Sequence, residues 1–328
     1  MRLRRKRRLI RAVRKSSELT VVQDNTKAIR PGDILLVCTM RNEQIRLPYF
    51  LQYYRGMGIN HFLFVDNSST DGSADYLRGM GDVSLWHPTA SYQRSGFGID
   101  WMNGLKRKYA HGHWVLVVDP DEFFIYPFCD TRPIRALTDW LDNSAIRSFS
   151  AMLIDVYPKG RIGEVPYQAG QNPLEIAHWF DSGNYTISRN PEYGNLWIQG
   201  GPRSRVFFAD QPQRAPALNK IPLVKWHRRY AYASSTHALL PRGLNQVYEA
   251  DGGEKASGAL LHTKFLDTFT IKAQEELVRG QHYAGSTEYK AYAGKLSEQP
   301  ELWCKWSEKY INWRQLEILG MMSKGNWA

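Results

Sequence analysis

Apolar and polar positions come in short, regular blocks along the first half of the chain. Ile34–Thr39 (ILLVCT) is an aliphatic, β-branched run between polar flanks, which predicts a buried strand. From Gln44 to Gly58, Leu47, Phe50, Leu51 and Tyr54 recur at helical spacing, and the pattern stops at glycine. His61–Val65 (HFLFV) predicts a second strand, and Thr70-Asp71-Gly72-Ser73 opens a helix running to about Met80. Val83–Trp86 is a third strand, Ile99–Tyr109 a helix with Trp101, Leu105 and Tyr109 on one stripe, and His113–Val118 a fourth strand. A helix over Ile134–Leu141 and a strand over Phe149–Val156 complete the series.

Alternating strands and helices, with strands apolar throughout, predict an α/β fold: a mostly parallel sheet flanked by helices. Ligands of such sheets bind beyond the carboxyl ends of the strands. From about 158 to 235 the pattern breaks into a stretch rich in Gly, Pro, Asn and aromatic residues, which reads as an elaboration closing over the site. Ala259–Phe265 is a late strand, and helices are expected at about 268–282 and 300–322.

Composition changes this picture little. The chain has 328 residues, 43% hydrophobic and 23% charged, enough to bury a core without disulfides. Its three cysteines (Cys38, Cys129, Cys304) are far apart and form no CxxC pair, which argues against a disulfide framework or zinc ribbon and suits a reducing compartment. No run approaches the roughly 18 apolar residues of a membrane-spanning helix.

Charge changes it more. The net charge is +11, yet residues 1–15 carry nine Lys or Arg and no acid, leaving a body of only +2. Such a tail can bind nucleic acid, serve as a transit peptide, lie on an anionic membrane, or simply be a solvated arm and linker. The membrane reading is preferred. Leu3, Ile10 and Val13, with Leu9 beside them, share one helical stripe, and each basic residue near anionic lipid contributes about 1 kcal/mol. A secretory signal is disfavoured because the apolar stretch is missing.

Three strand ends are rich in polar groups: Thr39-Met40-Arg41-Asn42-Glu43, Asp66-Asn67-Ser68-Ser69-Thr70-Asp71-Gly72-Ser73, and Asp119-Pro120-Asp121-Glu122. In a parallel sheet they converge. Asp119 and Asp121 are two apart at a strand tip, so their carboxylates point the same way and repel. A hard divalent cation, Mn²⁺ or Mg²⁺, would remove that repulsion and bind substrate phosphates as well. The plain alternative is a polar turn. Asp66, closing its strand, suits a ribose or base contact. Asp71 fits a ligand contact or a helix N-cap equally. Arg41 and Glu43 fit a nucleotide contact better than an exposed pair.

Together these three motifs resemble the family 2-type glycosyltransferases of the GT-A fold, in the bacterial subgroup with an RNE-type first strand and a DxDEF motif. The resemblance is firm over 34–156. It is looser over 195–266, at Gly200-Gly201-Pro202-Arg203-Ser204-Arg205, Lys220-Ile221-Pro222-Leu223, Ser235-Thr236-His237 and Leu261-His262-Thr263-Lys264-Phe265. It implies a GT-A-like nucleotide-diphospho-sugar transferase fold. Residues 1–32 would be a basic arm and linker, 33–266 the catalytic domain with an acceptor-side elaboration over 158–235, and 267–328 a C-terminal helical segment.

The same resemblance implies that Thr39, Arg41, Asn42, Glu43, Asp66, Asp71 and Asp119 hold the nucleotide of a UDP- or GDP-sugar. Asp119 and Asp121 would hold the metal with His262 as a third ligand. Transfer would be inverting and would need a general base. His237 is preferred, with Glu122, Asp155 and Asp181 as further candidates. By their charge, Arg203, Arg205 or Lys264 suit the leaving diphosphate, and equally suit a surface position. The aromatic-rich 167–226 stretch suits a sugar acceptor or ordinary packing beneath a long loop. The resemblance implies a glycan or lipid-linked acceptor in bacterial surface polysaccharide synthesis (lipopolysaccharide, capsule or exopolysaccharide), at the cytoplasmic face of the cell membrane. The main alternative is a metal-dependent nucleotidyltransferase or phosphatase. A nucleic-acid-binding protein is disfavoured by the near-neutral body.

Overall fold

A computed structural model describes residues 1–246, 254–280 and 291–327. Its centre is an eleven-stranded sheet. The first half is parallel: β2 (Ile34–Met40), β3 (His61–Asp66), β4 (Val83–Pro88) and β5 (Trp114–Val117) run together in the order β4-β3-β2-β5. The sheet then continues through β11 (Asn219–Lys225), β7 (Ser148–Tyr157), β14 (Gly258–His262) and β6 (Glu122–Ile125). In this second half only β14 and β7 run parallel.

Strand β2 explains the layering. Its Ile34, Leu36, Cys38 and Met40 face α2 (Leu47–Met57) and α5 (Ile134–Asn143), while Leu35 and Val37 face α4 (Ile99–Tyr109). With both faces covered, alternation disappears and the strand reads as continuously apolar. Helix α2 begins with a proline in its first turn and ends at Gly58, whose φ of 108° is a left-handed conformation that favours glycine. The Tyr54 hydroxyl donates to the Glu122 carbonyl at 2.7 Å and accepts from the Phe124 amide at 3.1 Å, tying α2 to β6.

The structure departs from the sequence reading in four places. Residues 1–32, read as a basic arm and linker, are built onto the body: Arg2–Ser16 is a helix, α1, lying along α4, and Leu19–Gln23 is a strand, β1, paired antiparallel with β4. Helix α1 docks through Ala12 and through Arg11, whose guanidinium grips the fully buried Asp100 at 2.7 and 2.9 Å. The helix after Thr70 is only α3 (Ser73–Leu77). The 158–235 stretch contributes β8 (Trp179–Asp181), the β9–β10 hairpin (Tyr185–Arg189 and Leu196–Gly200), the central strand β11 and the first strand of the β12–β13 hairpin (Ala231–Ser234 and Ala238–Leu240). β11 was hidden because Pro222 interrupts it; the register shifts between Lys220 and Leu223, a bulge that accommodates the proline. Finally, 300–322 is not one helix. After α6 (Thr268–Arg279) it holds a short strand, β15 (Ser307–Lys309), and a six-residue helix, α7 (Trp313–Ile318). No helix among the described residues is long and apolar enough to cross a membrane.

One core group is out of keeping with its surroundings. Lys106 on α4 is fully buried and its ammonium has no hydrogen-bond partner among the described residues. It sits 4.0 Å from the Tyr232 ring centre and 4.3 Å from that of Trp226. Two ring faces attract a cation, but burial outweighs them and pushes the lysine well below its ordinary 10.5. The folded state therefore binds this proton less tightly than the unfolded chain does. The penalty is felt below pH 10.5 and fades as pH rises to that value. Lys106→Met should accordingly raise stability at neutral pH by about 1–3 kcal/mol. In urea denaturation, the advantage over wild type should shrink toward pH 10.

Candidate active site

The carboxyl edge of the parallel strands opens into a cleft of about 170 Å³. Thr39, Met40 and Arg41 from the end of β2, Asn67 after β3, and Asp119, Pro120 and Asp121 after β5 form its floor. His262 and Lys264 close one side, and α6 covers the top with Phe269, Lys272, Glu276 and Arg279. Five Lys or Arg and four Asp or Glu therefore share one small cleft with a histidine.

Strand register assembles the charged groups beneath it. His262 on β14 lies opposite Asp155 on parallel β7 and opposite Glu122 on antiparallel β6. His262 Nδ1 donates to Asp155 Oδ1 at 2.6 Å, and Arg203 Nε donates to Asp155 Oδ2 at 2.7 Å. The other imidazole nitrogen, Nε2, lies 3.3 Å from Asp121 Oδ2. Burial opposes the charge of His262, but the two flanking aspartates outweigh it and raise its pKa. Asp121 shows the reverse. Burial alone would raise it, yet His262, Lys272 and Arg46 hold it well below the usual carboxylate range.

A second cluster adjoins the first. The Lys220 ammonium pairs with Glu122 and lies 3.3 Å from Asp119 Oδ2. Burial pushes Glu122 up to about 7 against the pull of Lys220. Lys220 itself is opposed by burial but held above its ordinary value by Glu122 and Asp119. Of the acidic pair, Asp119 is open to solvent, with 58% of its side chain exposed, whereas Asp121 keeps only 15%.

Several expected residues do meet in this cleft: Thr39, Arg41, Glu43, Asp119, Asp121 and His262. Thr39 Oγ1 is buried with no hydrogen-bond partner among the described residues, a polar atom left for a ligand. Gly98 makes room for it, since a Cβ there would come within 3.1 Å of that oxygen. Glu43 is buried between Lys272 and Arg46, whose Nε is 3.4 Å away. Burial raises its pKa despite these two cations.

Others stand outside the lining. Asp66 is buried and holds its own turn, accepting from the Ser69 amide at 3.2 Å and facing His87 at 3.3 Å. Asp71 accepts from the amides of Gln44 and Ser73, both at 2.9 Å, which is a turn-capping role. Asn42, at a φ of 50°, accepts from the Thr70 amide at 2.8 Å and donates to Glu275 at 2.7 Å. Glu122 lies behind the cleft with Lys220. His237 Nδ1 is bonded to the Asn219 carbonyl at 2.6 Å, and burial followed by Lys220 lowers it to about 4. Asp181 is occupied by Arg205 and the Tyr157 hydroxyl. Sequence reasoning gave no role to Lys220, Arg46, Lys272 or Arg279. Their only sequence signal is position: Arg46, Lys272 and Arg279 reach the cleft through tertiary packing, and Lys220 reaches Asp119 from behind it through strand register.

The donor set suits a divalent cation in its chemistry. With Nδ1 held by Asp155, a neutral His262 turns its Nε2 lone pair toward the Asp121 carboxylate, an arrangement that calls for a proton or a metal between them. Asp119 is instead engaged by Lys220. Among the described residues no three His, Cys, Asp or Glu side chains are grouped as a ready ligand shell.

No protein-family model matches the chain, and no curated protein matches it. Among solved structures it is similar to one described as a glucose-1-phosphate thymidylyltransferase from Bacillus anthracis, at 9% identity and a TM-score of 0.29, covering 88% of this chain and 93% of that one. A UDP-glucose pyrophosphorylase matches at 11% identity and a TM-score of 0.27 over 59% of this chain and 91% of that one. A 4-diphosphocytidyl-2C-methyl-D-erythritol synthase matches at 12% and 0.25 over 42% and 68%. At these scores the likeness carries no functional argument.

The Lys220 cluster gives a direct check. Lys220→Met strands Glu122 as an uncompensated buried charge and should cost about 3–5 kcal/mol in urea denaturation. Adding Glu122→Gln should recover part of that loss.

Proposed function

We propose that this protein is a transferase acting on a nucleotide sugar, and more finely a glycosyltransferase. The observation that carries the reading is the meeting of Thr39, Arg41, Asp119, Asp121 and His262 with Lys264, Lys272 and Arg279 at one sheet edge. Glycosyl transfer breaks the bond from the anomeric carbon to the diphosphate and forms one to an acceptor hydroxyl, whose proton goes to a base. The nucleoside diphosphate leaves with the negative charge. Lys264, Lys272 and Arg279 are fixed donors for that charge. Arg46 supports them by bonding the Thr263 carbonyl at 3.1 Å, while the Thr263 amide bonds the Asp121 carbonyl at 2.8 Å.

Asp121 and His262 are the residues that would hold Mn²⁺ or Mg²⁺, which when bound would neutralise the diphosphate. Neither expected base lines the cleft: Glu122 is buried behind it in an ion pair with Lys220, and His237 is bonded to the Asn219 carbonyl. A cleft of 170 Å³ is below the roughly 300–1,000 Å³ of complete ligand pockets, so as it stands it takes only part of a sugar nucleotide. The acceptor, a glycan or lipid-linked sugar, would approach from the exposed side of Asp119.

The same cations serve a second reading equally. In nucleotidyl transfer a sugar phosphate attacks a nucleoside triphosphate and pyrophosphate leaves.

Product analysis separates the two. On a panel of UDP- and GDP-sugars, glycosyl transfer releases nucleoside diphosphate. Nucleotidyl transfer releases pyrophosphate from a triphosphate and a sugar 1-phosphate. We expect the first. Lys272→Ala with Arg279→Ala should weaken nucleoside diphosphate binding about tenfold or more in calorimetric titration. Asp121→Asn should lower turnover about 100-fold. Unchanged affinity and turnover in these variants would remove the cleft from the chemistry.

A further inference from the structure

Helix α1 has two unlike faces. Toward the body it buries Ala12 and half-buries Arg5, Arg8, Leu9, Lys15 and Ser16. This face fits closely: the Cβ of Ser16 would lie 2.9 Å from a Cβ built on Gly104 of α4, so only glycine lets the helices approach. The opposite face holds Leu3, Ile10 and Val13, which stay 63%, 43% and 52% exposed although the helix is docked. With 3.6 residues per turn, these three fall within an arc of about 80°, with Lys6 inside it and Arg2, Arg7 and Arg14 on its flanks.

Docking consumes little of the charge. Arg4, Arg11 and Lys15 pair with Glu192, Asp100 and Glu18. Arg2, Arg5, Lys6, Arg7, Arg8 and Arg14 have no carboxylate partner among the described residues. The body adds more cations beside them. Arg107 at the end of α4 donates to the Arg228 carbonyl at 2.6 Å, bringing Arg107, Arg228 and Arg229 together. His227 in the same turn is lowered by burial and then by His111, Arg229, Arg228 and Arg5, so α1 and this turn share one field.

We propose that the outer face of α1 is a docking surface for an anionic lipid bilayer. A bilayer is the occupant that uses both features: its headgroups meet the cations, and its acyl boundary takes Leu3, Ile10 and Val13. A nucleic acid would use the cations alone. The face also has a fixed relation to the cleft. Arg11 Nη2 donates to the Arg94 carbonyl at 2.9 Å, and Tyr92, two residues earlier, lines the cleft. The surface goes beyond the function proposed above and does not require it.

Vesicle cosedimentation of the full chain tests this without nucleotide, so its outcome is separate from that of the transferase assay. Wild-type protein should bind phosphatidylglycerol vesicles, fail to bind pure phosphatidylcholine, and be released by added salt. Combined Arg2→Gln, Lys6→Gln, Arg7→Gln and Arg14→Gln, all on the outward face, should reduce binding about 100-fold with an unchanged thermal melt. Leu3→Ser, Ile10→Ser and Val13→Ser together should also lose vesicle binding while keeping affinity for duplex DNA or heparin. No binding of wild type to anionic vesicles would overturn the proposal. So would vesicle binding that survives the three serine substitutions, or binding to duplex DNA tighter than to vesicles.

Discussion

The cleft depends on a row of buried charges that strand register sets side by side. Arg203, Asp155, His262 and Asp121 form one chain of contacts, and Glu122, Lys220 and Asp119 form the next. Apart from the exposed Asp119, each of these groups alone would be costly to bury, and each is tolerable because its neighbour has the opposite sign or a shared proton. The result is a sheet edge whose carboxylates and cations are held in place before any ligand arrives. Groups fixed in this way need not reorganise when charge develops in a reaction.

Helix α6 completes the site from above by the same means. Lys272 reaches down to Glu43, and Glu275 takes both Arg41 and Asn42, with Arg41 at 3.1 Å. The contacts that cover the cleft therefore use residues that would also bind a nucleotide. A donor has to compete with them, which links its binding to the position of α6.

Much of this was legible in the sequence because the parallel half of the sheet is buried on both faces. Continuous apolar runs marked β2, β3, β4 and β5, and the polar residues that follow β2 and β5 were read as a converging edge. Where the reading fell short, the cause is specific. Pro222 and its bulge concealed β11, and with it Lys220. Asp66 and Asp71 stand beside the ligand edge in sequence, yet their carboxylates are taken by local amides, as Asp and Asn side chains in turns commonly are. The helical stripe of the basic N-terminus is legible, but its packing on the body is not, because the charge masks the small residues, Ala12 and Ser16, through which it docks. Arg46 and Lys272 carry no motif and reach the cleft only through tertiary packing.

Amide hydrogen exchange on addition of a nucleoside diphosphate tests the central claim most directly. The account predicts slowed exchange confined to 39–43, 119–122, 262–264 and α6, the segments that meet at the cleft. Protection elsewhere, or none with any nucleotide at saturating concentration, would contradict it.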